Sequence, residues 1–123
     1  MDPYRQKILD HYRHPRNFGR LAEASHRAAV SNPICGDEVE IAFKVLHGRI
    51  AEIKFTGRGC AISTAASSLL TEALQGRELR TARRFTPREA IELLGAPISS
   101  ARRGCACLGF SALRQALALA ASD

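Results

Sequence analysis

The hydrophobic pattern switches from alternation to helical spacing at Gly57-Arg58-Gly59, and that switch constrains the chain more than any other feature. Before it, Val39, Ile41, Phe43 and Val45 alternate with Glu40, Ala42 and Lys44. After a turn at His47-Gly48, a second alternating run puts Ala51, Ile53 and Phe55 on one face. Two such runs about a glycine-containing turn read as a β-hairpin. Behind the glycines, Ile62, Ala65, Ala66, Leu69, Leu70, Ala73 and Leu74 recur at helical spacing up to Gly76, which predicts a strongly amphipathic helix.

The flanks add shorter elements. Asp2 before Pro3 is a helix-start signal, and Tyr4, Ile8, His11 and Tyr12 carry a first helix over residues 3–14 until Pro15 stops it. Ala28 to Ser31 predicts a third strand before the Asn32-Pro33 break. Arg77 to Arg84 reads as a charged connection. Thr86-Pro87-Arg88-Glu89 then supplies an N-cap, a first-turn proline and a capping-box glutamate for a short helix to Leu94, closed by Gly95. From about Cys105, the residues Leu108, Ala112, Leu113, Ala116, Leu117 and Ala120 predict a last helix packed on the sheet.

A length of 123 residues fits one domain, residues 1–123, with no internal repeat and no linker. Hydrophobic residues at 46% and charged residues at 24% exclude a disordered or low-complexity chain. The most apolar uncharged run, Gln115 to Ser122, is far shorter than a membrane span. Nothing at Met1-Asp2-Pro3-Tyr4 has the shape of a secretory signal, so a cytoplasmic location is expected. Eighteen Lys and Arg against 12 Asp and Glu give a net charge of +6, carried by arginine, since lysine stands only at Lys7, Lys44 and Lys54. A basic surface attracts nucleic acid, acidic lipid or acidic protein without choosing among them. No aromatic-interleaved groove, recognition helix or close cysteine pair supports nucleic-acid binding by Arg77, Arg80, Arg83, Arg84 and Arg88, which read as a solvated face. The histidines His11, His14, His26 and His47 are scattered, and none is sequence-adjacent to a candidate nucleophilic cysteine, which argues against a hydrolase or an oxidoreductase. His11 reads as a packed or capping histidine rather than a ligand.

Four cysteines in such a chain point to metal or redox chemistry rather than a disulfide framework. Cys35 lies on a loop, in Asn32-Pro33-Ile34-Cys35-Gly36-Asp37. Cys60 opens the long helix, where unpaired N–H groups and the helix dipole favour a thiolate. Cys105 and Cys107 follow Arg102 and Arg103 at the start of the last helix, with the same advantage. Asp37, two residues after Cys35, can bring a hard oxygen to three soft sulfurs. The wide separation of Cys35, Cys60 and Cys105 excludes a zinc finger or ribbon, so any shared site must be assembled by the fold. On residue chemistry alone, two readings stand: an exchangeable metal or sulfur site, and a set of buried unreactive cysteines.

Four ordered motifs then make the chain recognisable. They are Asp10-His11-Tyr12 with Pro15-Arg16-Asn17-Phe18-Gly19; Asn32-Pro33-Ile34-Cys35-Gly36-Asp37; Gly57-Arg58-Gly59-Cys60-Ala61-Ile62-Ser63; and Ala101-Arg102-Arg103-Gly104-Cys105. The sequence resembles, nearly end to end, the U-type iron–sulfur cluster assembly proteins, the IscU/SufU/NifU N-terminal family. The resemblance implies an α+β sandwich with a three-stranded antiparallel sheet covered by helices. It also implies that Cys35, Asp37, Cys60 and Cys105 hold a transient [2Fe–2S] cluster, with Zn²⁺ as the alternative occupant.

The implied partners are a cysteine desulfurase and recipient apo iron–sulfur proteins, with neither nucleic acid nor membrane involved. The implied role is a scaffold, or alternatively a zinc-bound sulfurtransferase that relays sulfur without building a cluster, acting as a monomer or weak oligomer. Cys105 is the expected first persulfide acceptor and Cys35 the runner-up.

The sequence departs from both branches of the family. Gly104 stands where the Isc branch has histidine, and Ala96-Pro97-Ile98-Ser99-Ser100 replaces its Leu-Pro-Pro-Val-Lys stretch, so Isc-type chaperone handover is not implied. Gly59-Cys60-Ala61-Ile62-Ser63 and Arg102 are similar to the Suf branch, although the segment from Cys60 to Cys105 is too short for the usual Suf insertion. Cys107 matches neither branch as a ligand and reads as a spare sulfur acceptor or a packed thiol.

Overall fold

The computed structural model describes residues 3–34 and 36–119. Asp2, Cys35 and Ala120, to which the sequence gives roles, lie outside the described residues. The elements run α1 (Pro3–Arg13), β1 (His26–Asn32), β2 (Asp37–Leu46), β3 (Arg49–Arg58), α2 (Ala61–Leu74), α3 (Leu79–Arg84), α4 (Pro87–Glu92), a 3-10 turn (Ser100–Arg102), α5 (Arg103–Ala106) and α6 (Leu108–Leu119). The three strands pair antiparallel in the order β1-β2-β3, with helices packed against them, which is the expected α+β architecture.

The hairpin follows from local chemistry. His47 at φ 53° and Gly48 at φ 75° both take the left-handed region, as a two-residue turn matched to strand twist demands, and Leu46 pairs with Arg49 across it. Val39, Ile41 and Phe43 of β2 and Ile53 and Phe55 of β3 are buried on the inner face. They meet Leu70 and Leu74 of α2 and Leu113 and Leu117 of α6 in the main core. β1 is longer than Ala28 to Ser31 because His26 and Ala28 also point inward while Ala29 and Ser31 face out.

Two expectations change. Arg77 to Arg84 is not merely connective: Leu79–Arg84 forms α3, which buries Ala82 and packs Leu79 and Phe85 on the core. Two apolar positions one turn apart are too short a pattern to stand out among arginines. The last helix does not start at Cys105, because the chain breaks at Cys107, the C-cap of α5. The capping box at Thr86 and Glu89 forms as expected, and α4 ends at Glu92 rather than Leu94.

α2 is more deeply buried than an amphipathic helix on a surface. Ser63, Ser67, Ser68 and Thr71 are all fully buried together with its apolar face. Two of these hydroxyls dock the N-terminal motif. Ser68 Oγ lies 2.7 Å from His11 Nδ1 and accepts the Arg16 N–H at 2.8 Å. Thr71 Oγ1 accepts from Asn17 Nδ2 at 3.3 Å and donates to the Ser68 carbonyl at 2.9 Å.

The docked segment continues into the sheet. The Phe55 N–H donates to the Asn17 carbonyl at 3.0 Å, and the Gly19 N–H to the Phe55 carbonyl at 2.9 Å. Gln75 covers the same edge of β3, accepting from the Ile53 N–H at 3.1 Å and donating to the Ala51 carbonyl at 3.0 Å. An edge strand that could pair with another chain is thereby covered.

Burial holds the His11 imidazole below its ordinary value of 6.5, and the Arg16 cation adds to the effect. The fold therefore resists a proton that the unfolded chain accepts. The stability contributed by neutral His11 is present above that ordinary value and is lost as the pH falls from it through the lowered folded value. We expect the melting temperature to drop between pH 7.5 and 5.5 and His11→Asn to flatten that slope; an equal slope in the variant would contradict this role.

Candidate metal centre

Three chain junctions converge at one end of the sheet. β2 begins at Asp37, whose inward orientation on the same face as Val39 and Ile41 buries its carboxylate. β3 ends at Arg58, and Gly59 leads to Cys60, the N-cap of α2. The Cys60 side chain makes no capping bond. Instead, the Cys60 N–H donates to Asp37 Oδ2 at 3.3 Å, so a carboxylate from a neighbouring strand serves the positive end of a 14-residue helix. Ser63 Oγ donates to the Cys60 carbonyl at 3.2 Å and tightens the first turn.

Gly59 makes this approach possible. A Cβ there would lie 2.1 Å from Ser63 Oγ and 3.2 Å from both Cγ and Oδ2 of Asp37. Any side chain would push apart the groups that fix Cys60 and Asp37.

Cys105 arrives from the other side on α5, buried with Ala106, which packs against Ala65, Ala66 and Leu69 of α2. The 3-10 turn and the one-turn α5 together bend the chain so that this thiol faces the start of α2. The ligand atoms of Asp37, Cys60 and Cys105 all lie within 4.8 Å of one another. Tetrahedral coordination with metal–sulfur bonds of about 2.3 Å and a metal–oxygen bond of about 2.0 Å separates donors by roughly 3.5–3.8 Å. The three atoms therefore need to close by only about 1 Å to surround one ion. Two thiols and a carboxylate suit zinc or iron better than the hard cations that select all-oxygen sites.

Of the four residues expected to share a site, the fold gathers these three. Cys35 lies outside the described residues; on either side of it, Asn32 pairs with Asp37, and the Gly36 N–H donates to the Asn32 carbonyl at 2.8 Å. Cys107 is not in the cluster. It is half-buried, burial pushes its thiol up from 9.0, and Arg103 only partly opposes that, so it stays protonated at neutral pH. That favours the packed-thiol reading over the spare acceptor. His11 does not belong to the cluster either, in keeping with its packed role against Ser68. Gly59 and Ser63 were not singled out as site residues; the paired glycines flanking Arg58 were the available signal for a close backbone approach.

The NifU-like N-terminal domain family matches residues 3–120. The iron-sulfur cluster assembly scaffold protein IscU 1 of Archaeoglobus fulgidus is 38% identical over 114 residues, covering 93% of this chain and 74% of that protein. The zinc-dependent sulfurtransferase SufU of Bacillus subtilis is 42% identical over 79 residues, covering 64% of this chain and 53% of that protein. A crystal structure described only as that of a hypothetical protein superposes with a TM-score of 0.76 at 30% identity, covering 94% of this chain and 96% of that one. The crystal structure of a putative SUF-system scaffold from Fervidobacterium islandicum superposes with a TM-score of 0.75 over 95% of this chain and 96% of that one, and at 24% identity this likeness concerns the fold alone.

Gly59→Ala is expected to destabilise the chain by about 2 kcal/mol, the scale of overpacking in a closed site. A second change, Ser63→Ala, removes the nearest clash and should restore part of the loss. Denaturant melts of the single and double variants check this; a Gly59→Ala midpoint equal to wild type would contradict it.

Proposed function

The chain belongs to the NifU-like N-terminal domain family, and we propose that it is an iron–sulfur cluster assembly scaffold. It accepts sulfane sulfur from a cysteine desulfurase, binds iron and assembles a labile [2Fe–2S] cluster for transfer to apoproteins. The observation that carries this reading is the convergence of Asp37, Cys60 and Cys105 from three separate segments, with their ligand atoms within 4.8 Å. Cys35, on the β1–β2 connection beside Asp37, is the fourth proposed ligand. Clusters are held by thiolates, and sulfur moves between proteins by thiolate attack on a sulfane sulfur.

Cys105 is the proposed first acceptor. Its thiolate attacks the terminal sulfur of the desulfurase persulfide, the S–S bond breaks, and the desulfurase thiolate leaves. Arg102 and Arg103 are exposed just before it and suit a partner with an acidic surface. The sulfane sulfur is then reduced to sulfide by an external electron donor. Asp37 gives the cluster one hard oxygen ligand among soft sulfurs, the weakest link and hence the point of exchange. The proposed location is the cytoplasm; no helix among the described residues is long and apolar enough to cross a membrane.

A second reading has its own support. The compactness of the three donors suits a single tetrahedral ion, and one relative is named as a zinc-dependent sulfurtransferase. In that reading Cys35, Asp37, Cys60 and Cys105 hold Zn²⁺, which keeps the thiols deprotonated, and the chain relays sulfur without building a cluster.

Anaerobic incubation with cysteine desulfurase, cysteine and Fe²⁺ separates the two. The scaffold reading predicts about two irons and two acid-labile sulfides per chain, lost in Cys60→Ser. One tightly held zinc, with persulfide on a cysteine and no cluster, would replace it with the relay reading. Once a cluster forms, Asp37→Ala should slow its transfer to an apoprotein by about tenfold, the scale on which single changes around a metal site act. Equal transfer rates would show that the carboxylate is not the exchangeable ligand.

A further inference from the structure

Asn32 borders both the Asp37 side and the Cys105 side of the centre, yet it is not one of the residues whose ligand atoms cluster there. It is the last residue of β1 and pairs in register with Asp37. Its side-chain Oδ1 accepts the Ile34 N–H at 3.0 Å, and its carbonyl accepts the Gly36 N–H at 2.8 Å. One residue thus holds Ile34 from its side chain and Gly36 from its backbone. Gly36, at φ 77°, takes the left-handed conformation that lets the loop return into β2.

The other end of the same side chain faces the Cys105 turn. Gly104, immediately before Cys105, has no side chain, and a Cβ placed on it would stand 3.3 Å from Asn32 Nδ2. A methyl at position 104 would therefore press on the amide and shift it by a few tenths of an ångström. Asn32 is half-buried, as befits a group wedged between two segments rather than exposed on a strand end.

We propose that Asn32 is a positioning residue for the metal centre: its amide sets the end of β1, paired with Asp37, against the α5 turn and so fixes the spacing between the Asp37 and Cys105 sides of the site. The absence of a side chain at Gly104 is the complementary half of this arrangement. The inference rests on the metal-binding reading above. Groups that orient ligands without touching the ion typically alter metal affinity by about 10–100-fold when removed.

The test uses the full chain with zinc and cobalt(II) as probes. Affinity is read by competition with a chromophoric chelator, geometry by the cobalt(II) absorption spectrum, and folding by the melting temperature of the metal-free chain. Asn32→Ala is expected to lower zinc affinity about tenfold or more and to alter the cobalt(II) spectrum.

Gly104→Ala separates positioning from stability. Alanine is the better helix former, so the metal-free melting temperature should hold or rise while zinc affinity falls severalfold. A role in folding alone would move both in the same direction. Wild-type affinity and spectrum in Asn32→Ala, or undiminished affinity in Gly104→Ala, would overturn the proposal. If Asn32→Ala does not fold, Gly104→Ala decides alone. A wild-type chain that holds neither ion would overturn the metal-binding reading itself.

Discussion

The contact between the Asp37 carboxylate and the backbone at Gly59-Cys60 joins the sheet to the central helix at the point where the chemistry is placed. Asp37 opens β2 and Cys60 caps α2, so the bond ties the starts of two elements that also pack together further along in the core. The carboxylate is buried, and burying a charge without partners is costly. The helix N-terminus and the Cys60 N–H offset that cost, and a bound cation would offset it further. The same group thus serves the fold and keeps a place for a metal.

α2 must be held rigidly for this to work, and its serine row does so from behind. Ser68 and Thr71 bond the His11, Arg16 and Asn17 region, which then runs along the edge of β3 through Phe18 and Gly19. Ser67 Oγ has no hydrogen-bond partner among the described residues and lies where a Cβ on Gly109 would come within 2.5 Å of it, so α2 and α6 pack closely at that point. The N-terminal motif far from the cysteines is in this way a structural brace for the helix that carries Cys60. Arg16 adds to the brace by pairing with Asp10 at 2.7 Å, which holds that carboxyl below the usual range.

Much of this was legible in the sequence where the signal is local. The hairpin, α2 and the Thr86–Glu89 capping box follow from periodicity and from side chains that satisfy their own neighbours. α3 and the break at Cys107 were missed because each depends on a few residues packing against distant ones. The buried serines were invisible for a related reason: a helix face containing hydroxyls looks solvated until their partners, supplied from residues 11–17, are known. At the site, residue chemistry made the donor types readable and only the family resemblance implied their convergence, since the spacing of Cys60 and Cys105 says nothing about distance. The roles of Gly59 and Asn32 lie in close approaches between segments, which only the fold exposes.

The central claim is that Asp37, Cys60 and Cys105 act as one donor set with an oxygen among the sulfurs. Zinc-edge X-ray absorption of the metal-loaded chain, set beside that of Asp37→Ala, measures it directly. The account predicts sulfur neighbours at about 2.3 Å and one light-atom neighbour at about 2.0–2.2 Å that the Asp37→Ala variant changes. A purely sulfur shell, or a light-atom shell with the multiple-scattering signature of imidazole and indifferent to Asp37→Ala, would contradict it.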